Sequence, residues 1–252
     1  LILKKQIIHL ILFKMETEKS QTFILPNAPV EALRDTPALA ILFGQSKVGK
    51  TGALIALKDC LIIDTEKGTD TRKSLKVNVN SLSELKEVMV ALKQREKKYT
   101  YIAFDTIDKI VMWLESAVAK TNGVKDIGDI PYGGGYSQVR TSILAMVEKM
   151  KELSEHIILV AHRKKTIIGE DSILFDASSL DMTGRLKNML CADADLIGYM
   201  YRDSKDDNKL SLSFTTNNEI DAGTRNPDLA GKTFPFDWKL IYPKAEINNF
   251  SK

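Results

Sequence analysis

The stretch GQSKVGKT at 44–51 constrains this chain more than anything else in it. Gly44, Gly49, Lys50 and Thr51 stand at the spacing of a phosphate-binding loop, after an apolar run that ends at Gly44 and before a second run, TGALIALK. In such a loop the glycines let the backbone wrap so that amide N–H groups point at phosphate oxygens. The lysine reaches the terminal phosphates and the threonine hydroxyl ligates magnesium. The segment Gly44, Gln45, Ser46, Lys47, Val48, Gly49, Lys50, Thr51 and Gly52 is therefore the expected nucleotide cradle. The alternative, a glycine turn with a solvated lysine, fits the strand-before, helix-after context less well. Lys47 occupies one of the variable positions, and its side chain is expected to point to water.

A loop of this kind sits between a strand and a helix, and the chain alternates accordingly. TPALAILFG (36–44) reads as a buried strand, CLIIDTE (60–66) as a second one that could lie beside it, and YTYIAFDTID (99–108) as a third. Between them, Leu82, Leu85, Val88, Met89 and Leu92 fall at helical spacing in a helix over 82–97. A helix over about 107–120 leads into a glycine-rich loop at 121–136, then a helix over about 137–155 and the strand IILVAH at 157–162. After residue 190 the rhythm changes: ADLIGYMYRD and KLSLSFTTN, separated by SKDDN, read as an antiparallel hairpin. The expected fold is α/β, a mainly parallel central sheet flanked by helices, with an antiparallel hairpin near the carboxyl terminus. No repeat or linker divides residues 23–252, which are expected to form one domain.

The leading LILKKQIIHLILFK is shorter than the roughly 20 apolar residues a membrane span needs, and no small-residue cleavage site follows it. Residues 1–22 are expected to be an extension outside the fold; the alternative is an interfacial helix. The 252 residues carry a formal charge of only +3, which neither demands nor excludes nucleic acid. Cys60 and Cys191 are far apart, with no Cys-x-x-Cys, which argues against a disulfide framework or zinc site and for a reducing, cytoplasmic setting. No membrane partner is expected.

A nucleotide site also needs carboxylates. Asp105 closes a predicted strand, where it can organise the Mg²⁺ shell. Asp64 and Glu66 end another; Glu66 is the expected base that orients water, and Asp64 a supporting loop acid. Asp108 reads as a first-turn charge favourable to the helix dipole.

Taken in order, the phosphate loop, IIDTE, YIAFDT, the glycine-rich loop and ILVAH resemble the RecA-like ATPase core. More closely, they are similar to phage-encoded RecA-like nucleotide-binding proteins associated with single-strand annealing and recombination. The resemblance covers about residues 36–230 and implies a P-loop, RecA-like fold that binds and hydrolyses ATP with Mg²⁺. It implies that Glu66 activates water and that Asp105 organises magnesium. It further implies that His162 senses the terminal phosphate and that the loops at 121–136 and 163–181 hold single-stranded DNA. Arg225, in AGTRN, is the candidate for a cation reaching a neighbouring subunit's phosphate, which makes a homo-oligomer or filament the expected assembly. A single-strand DNA-binding protein is a possible further partner. RecA's larger amino-terminal segment and carboxy-terminal domain have little room here.

Charge placement agrees with that reading. Arg163, Lys164 and Lys165 are consecutive cations after a strand, and Lys125, Tyr132, Tyr136 and Arg140 could add to one face. Phosphate neutralisation supplies sequence-independent binding and aromatic stacking holds bases. Arg185 and Lys187 could extend the patch or only start a helix. Two other functions use the same loop: an ATP-dependent binding switch without significant turnover, and a small-molecule phosphotransferase. The DTE strand ending favours water over a bound hydroxyl as acceptor.

Overall fold

The computed structural model describes residues 25–168, 175–182, 184–204, 206–216 and 220–248. The expectation for residues 1–22 lies outside them. The chain divides into two units, Leu1–Asp35 and Thr36–Lys252. In the first, residues 25–35 carry no helix or strand.

The second unit is an α/β layer structure. Its strands are β1 (Leu39–Gly44), β2 (Cys60–Asp64), β3 (Lys76–Asn78), β4 (Tyr101–Asp105), β5 (His156–Ile168), β6 (Phe175–Leu180), β7 (Leu196–Asp203), β8 (Lys209–Ser213), β9 (Gly223–Thr224) and β10 (Thr233–Pro235). Its helices are α1 (Lys50–Ala56), α2 (Leu82–Gln94), α3 (Ile107–Thr121), α4 (Gly134–Lys151), α5 (Gly184–Asp193) and α6 (Trp238–Ile241). The sheet runs β10-β8-β7-β1-β5-β4-β2-β3, with β6 on β5 and β9 on β7. From β7 through β3 the neighbours are parallel, and the hairpin β7–β8 extends the sheet antiparallel. The expected α/β architecture, a mainly parallel sheet flanked by helices and extended by an antiparallel hairpin, is thus the one observed.

The alternation of β1 explains the two layers. Leu39, Ile41 and Phe43 face one core with α2, α3, α4 and α5. Ala40 and Leu42 face the other with α1 and α6. Because successive side chains of a strand point to opposite faces, a fully buried apolar run requires both layers. Trp238 donates its indole N–H to Ala53 O at 2.8 Å, which braces α1 from behind.

Several expectations need correction. β2 does not lie beside β1: β4 and β5 stand between them. The helix expected to 97 ends at Gln94, and the one expected over 137–155 spans Gly134–Lys151. The short strand β3 carried too few residues to show a period. The loop at 163–181 is chiefly a β-hairpin: β5 continues through Arg163, Lys164 and Lys165 to Ile168 and returns as β6, with 169–174 outside the described residues. The loop at 121–136 contains two single-turn 3₁₀ segments, Ile127–Asp129 and Pro131–Gly133, and then the start of α4.

Candidate active site

The phosphate loop joins β1 to α1 at the carboxyl edge of the sheet. Gly44 is needed for packing: a Cβ there would stand 2.2 Å from Met200 O of the neighbouring β7. Gly49 caps α1 with φ near +127°, a conformation that side chains disfavour. Lys47 is exposed, as expected.

Lys50 is buried, and its ammonium donates to Gly44 O at 2.8 Å and Gln45 O at 2.9 Å. Burial lowers its pKa, while Asp105, Asp108 and Glu66 pull the other way. The lysine therefore lies folded over its own loop, its ammonium held by two of that loop's carbonyls.

Thr51 donates its hydroxyl to Asp105 Oδ2 at 2.7 Å. Asp105 is 4% exposed, and burial raises its pKa, with Asp64 and Glu66 adding to the rise and Thr51 and Lys50 opposing it. A buried carboxylate beside a hydroxyl, with further acids near it, is a donor set that suits a hard cation. Gly68 lies beside the pair, where a Cβ would stand at ordinary contact distance, 3.4 Å from Thr51 Oγ1 and 3.9 Å from Asp105 Oδ2. Among the described residues no group of three or more His, Cys, Asp or Glu is arranged to hold a metal. Mg²⁺ does not require one, because it keeps several waters and binds through one or two protein groups plus substrate phosphates. Thr51 and Asp105 fit it on those terms.

Glu66 reaches the same edge from the end of β2, with its side chain 42% exposed. Thr106 donates to its Oε1 at 3.4 Å. Thr65 staples the two strand ends, accepting from Thr106 N–H at 2.9 Å. Asp64 is a loop-holding acid: Glu66, Gly68 and Thr69 donate backbone N–H groups to it, and the Thr69 hydroxyl adds a fourth bond. With these bonds Asp64 shapes the turn that presents Glu66. His162 closes the group, with Nε2 3.9 Å from Glu66 Oε2. Lys50, Thr51, Asp105, Glu66 and His162 thus meet although they come from four separate segments.

Three contacts escaped the sequence reading. Asp108, read as a dipole charge, also binds His162. Arg202 on β7 donates from Nε to Val48 O at 3.0 Å and holds the phosphate loop from its flank. Arg72 lies against the first turn of α1, where a Cβ on Gly52 would meet its Nη1 at 2.9 Å. Nothing local in the sequence marks these contacts; the fold makes them.

The remaining candidates lie elsewhere. Arg225 donates to Asp195 Oδ1 at 2.9 Å and Ala192 O at 2.8 Å. Asp195 in turn accepts from Ala38 and Leu39 N–H at the start of β1, so Arg225 sits at the opposite strand end from the phosphate loop. Arg163 donates to Tyr199 Oη at 2.7 Å, and Lys164 and Lys165 are exposed on the same strand. Lys125, Tyr132 and Tyr136 are exposed, and Arg140 donates to Ser137 at 3.0 Å. α3 leaves the carboxyl end of β4, and α4 finishes just before β5 begins. The segment 122–133 must therefore climb back toward the carboxyl edge that carries the phosphate loop. Lys187 is paired with Asp221 at 2.8 Å, and Arg185 is exposed in the first turn of α5.

A family profile described as "AAA domain" matches residues 36–226. No curated protein matches. Among solved structures, a RadB recombinase is similar at 13% identity and TM-score 0.43, covering 79% of this chain and 86% of that one. A KaiC-like protein from Pyrococcus horikoshii is similar at 12% identity and TM-score 0.46, covering 79% of this chain and 85% of that one.

Proposed function

Because the chain belongs to the AAA domain family, we propose that it is a Mg²⁺-dependent ATPase that binds single-stranded DNA and promotes annealing or recombination. The observation that carries the enzymatic part is the buried Lys50 beside the Thr51–Asp105 pair, with the Glu66 carboxylate facing the same edge. Phosphoryl transfer needs mainly positioning and charge, and this set supplies both.

Lys50 would exchange its two carbonyl partners for terminal phosphate oxygens. Thr51 and Asp105 would hold Mg²⁺, whose chemistry is to neutralise charge on the β- and γ-phosphate oxygens. Glu66 orients the attacking water, and Thr106 and His162 hold its carboxylate toward the site. His162 is also the residue that would sense the terminal phosphate.

The DNA part rests on charge at one edge. Arg163, Lys164 and Lys165 lie on the hairpin just past His162, so an event at the phosphate has a direct covalent route to them. Lys125, Tyr132, Tyr136 and Arg140 are the second group proposed to face the strand. Arg225 stays outside this mechanism, because its guanidinium is committed to Asp195 at the far strand end. A role across subunits would require head-to-tail stacking.

The test is the ATPase rate with and without single-stranded DNA at two salt concentrations. Stimulation that fades with salt supports the proposal, because phosphate contacts are released by salt. Turnover indifferent to DNA would leave an ATPase and remove the DNA role, and ATP binding without turnover would leave only a switch.

A further inference from the structure

His162 does not stand alone at the site. Its Nδ1 lies 2.6 Å from Asp108 Oδ2, and its backbone N–H donates to the same oxygen at 2.9 Å. One carboxylate oxygen on α3 thus clamps both ring and main chain of β5. With Nδ1 engaged there, the opposite nitrogen is the one turned to Glu66, at 3.9 Å. The order is Asp108, His162, Glu66, and the last of these is the group assigned to the attacking water.

The burial of Asp108 fits this arrangement. Its side chain is 15% exposed, and Oδ1 is buried without a hydrogen-bond partner among the described residues. A buried carboxylate satisfied on one side only is costly unless positive charge faces it. The amino-terminal dipole of α3 supplies part of that charge, and the His162 ring can supply the rest. The charged groups acting on the ring are Asp108 from α3, Glu66 from the segment after β2, and Lys50 from α1. The two acids favour the imidazolium, and Lys50 opposes it.

We infer that Asp108 is a positioning residue that fixes the tautomer and orientation of His162, so that Nε2 faces Glu66. The kinetic consequence rests on the ATPase reading above; the tautomer does not. In the neutral ring the proton resides on Nδ1 and is donated to Asp108. In the charged ring Nε2–H also points at Glu66 and steadies its carboxylate. A histidine fixed in this way has one nitrogen reserved for structure and the other for function.

The experiment follows the ring nitrogens of His162 by ¹⁵N NMR in the nucleotide-free full chain, with Asp108→Asn beside the native residue. His162 is one of only three histidines, and His162→Gln assigns its signals. The expected result is Nδ1 protonated in the neutral native ring, with D108N lowering the titration midpoint and mixing the tautomers. Unchanged signals and midpoint in D108N would overturn the inference.

Steady-state kinetics supply the second reading. D108N should lower kcat roughly 10- to 100-fold with KM for ATP nearly unchanged, as a misplaced group does. It should add little to H162Q, because Asp108 acts through that ring; a full additional loss in the double variant would overturn the inference. Should D108N fail to fold, D108E keeps the charge but moves it. A charged ring with lowered kcat is then expected, and full activity with a disturbed ring would overturn it. If the native protein has no turnover while D108N still shifts the ring as expected, the ATPase reading fails and the Asp108 assignment stands.

Discussion

Glu66 is presented by a turn built on Asp64, so its role separates cleanly from phosphate binding. Glu66→Gln keeps the shape and the Thr106 contact while removing the base. ATP affinity should stay within about twofold and turnover should fall on the order of 10²–10⁴-fold, the usual worth of a positioned base. Equilibrium binding and single-turnover hydrolysis measure the two, and intact turnover would remove Glu66 from the mechanism. His162 makes a prediction about stability. Its hydrogen bond to Asp108 raises its pKa, against desolvation and Lys50. A raised folded-state pKa contributes stability that is fully present below the unfolded value, about 6.5, and is lost as pH rises through the folded value. Melting temperature should therefore decline across that window in the native protein and decline less in H162Q. Equal slopes would mean that the ring titrates as a free histidine.

The elements differ in how much of themselves they reveal. β1, β2 and β4 are apolar runs ending in glycine or an acid, the first half of β5 is one ending in His162, and their existence was legible. The second half of β5 was not, because Arg163, Lys164 and Lys165 form a strand that leaves the core, where no apolar alternation marks it. That strand carries the proposed DNA contacts. The triple variant R163A/K164A/K165A should weaken single-strand binding and reduce the salt slope of log K by about 2, at roughly 0.7 per phosphate contact. Fluorescence anisotropy at several salt concentrations measures it, and an unchanged slope would place the DNA elsewhere. β1 and β7 meet too closely at Gly44 for a side chain. Gly44→Ala forces backbone to move and should cost about 1–3 kcal/mol, read as a lowered melting temperature. Unchanged stability would show that β7 yields freely at Met200.

Across the whole molecule, the phosphate loop is held by groups distant in sequence, so filling it should stabilise the entire second unit. Arg202 grips Val48 from β7, Trp238 braces α1 from the carboxyl-terminal helix, and Thr51 ties α1 to β4. A nucleotide at 100 times its Kd should add about 2.7 kcal/mol. For a domain of this size that corresponds to roughly 5–10 °C in melting temperature. Mg²⁺ with a non-hydrolysable ATP analogue should show this shift in the native protein and lose most of it in Lys50→Ala. An equal shift in K50A would place the nucleotide outside the loop.

What the sequence alone determined was local chemistry. The glycine spacing of the phosphate loop, Asp105 at a strand end and Glu66 just past one, and the hairpin after residue 190 depend on sterics and periodicity within about ten residues. What only the tertiary structure decided was adjacency. It placed two strands between β1 and β2, set Arg202 against Val48, brought Asp108 to His162 across 54 positions and carried Arg225 to the far end of the strands. Those outcomes depend on how crossovers order the strands and on which faces bury against which helices. Such choices are made by packing over the whole chain, and no short stretch of sequence contains them.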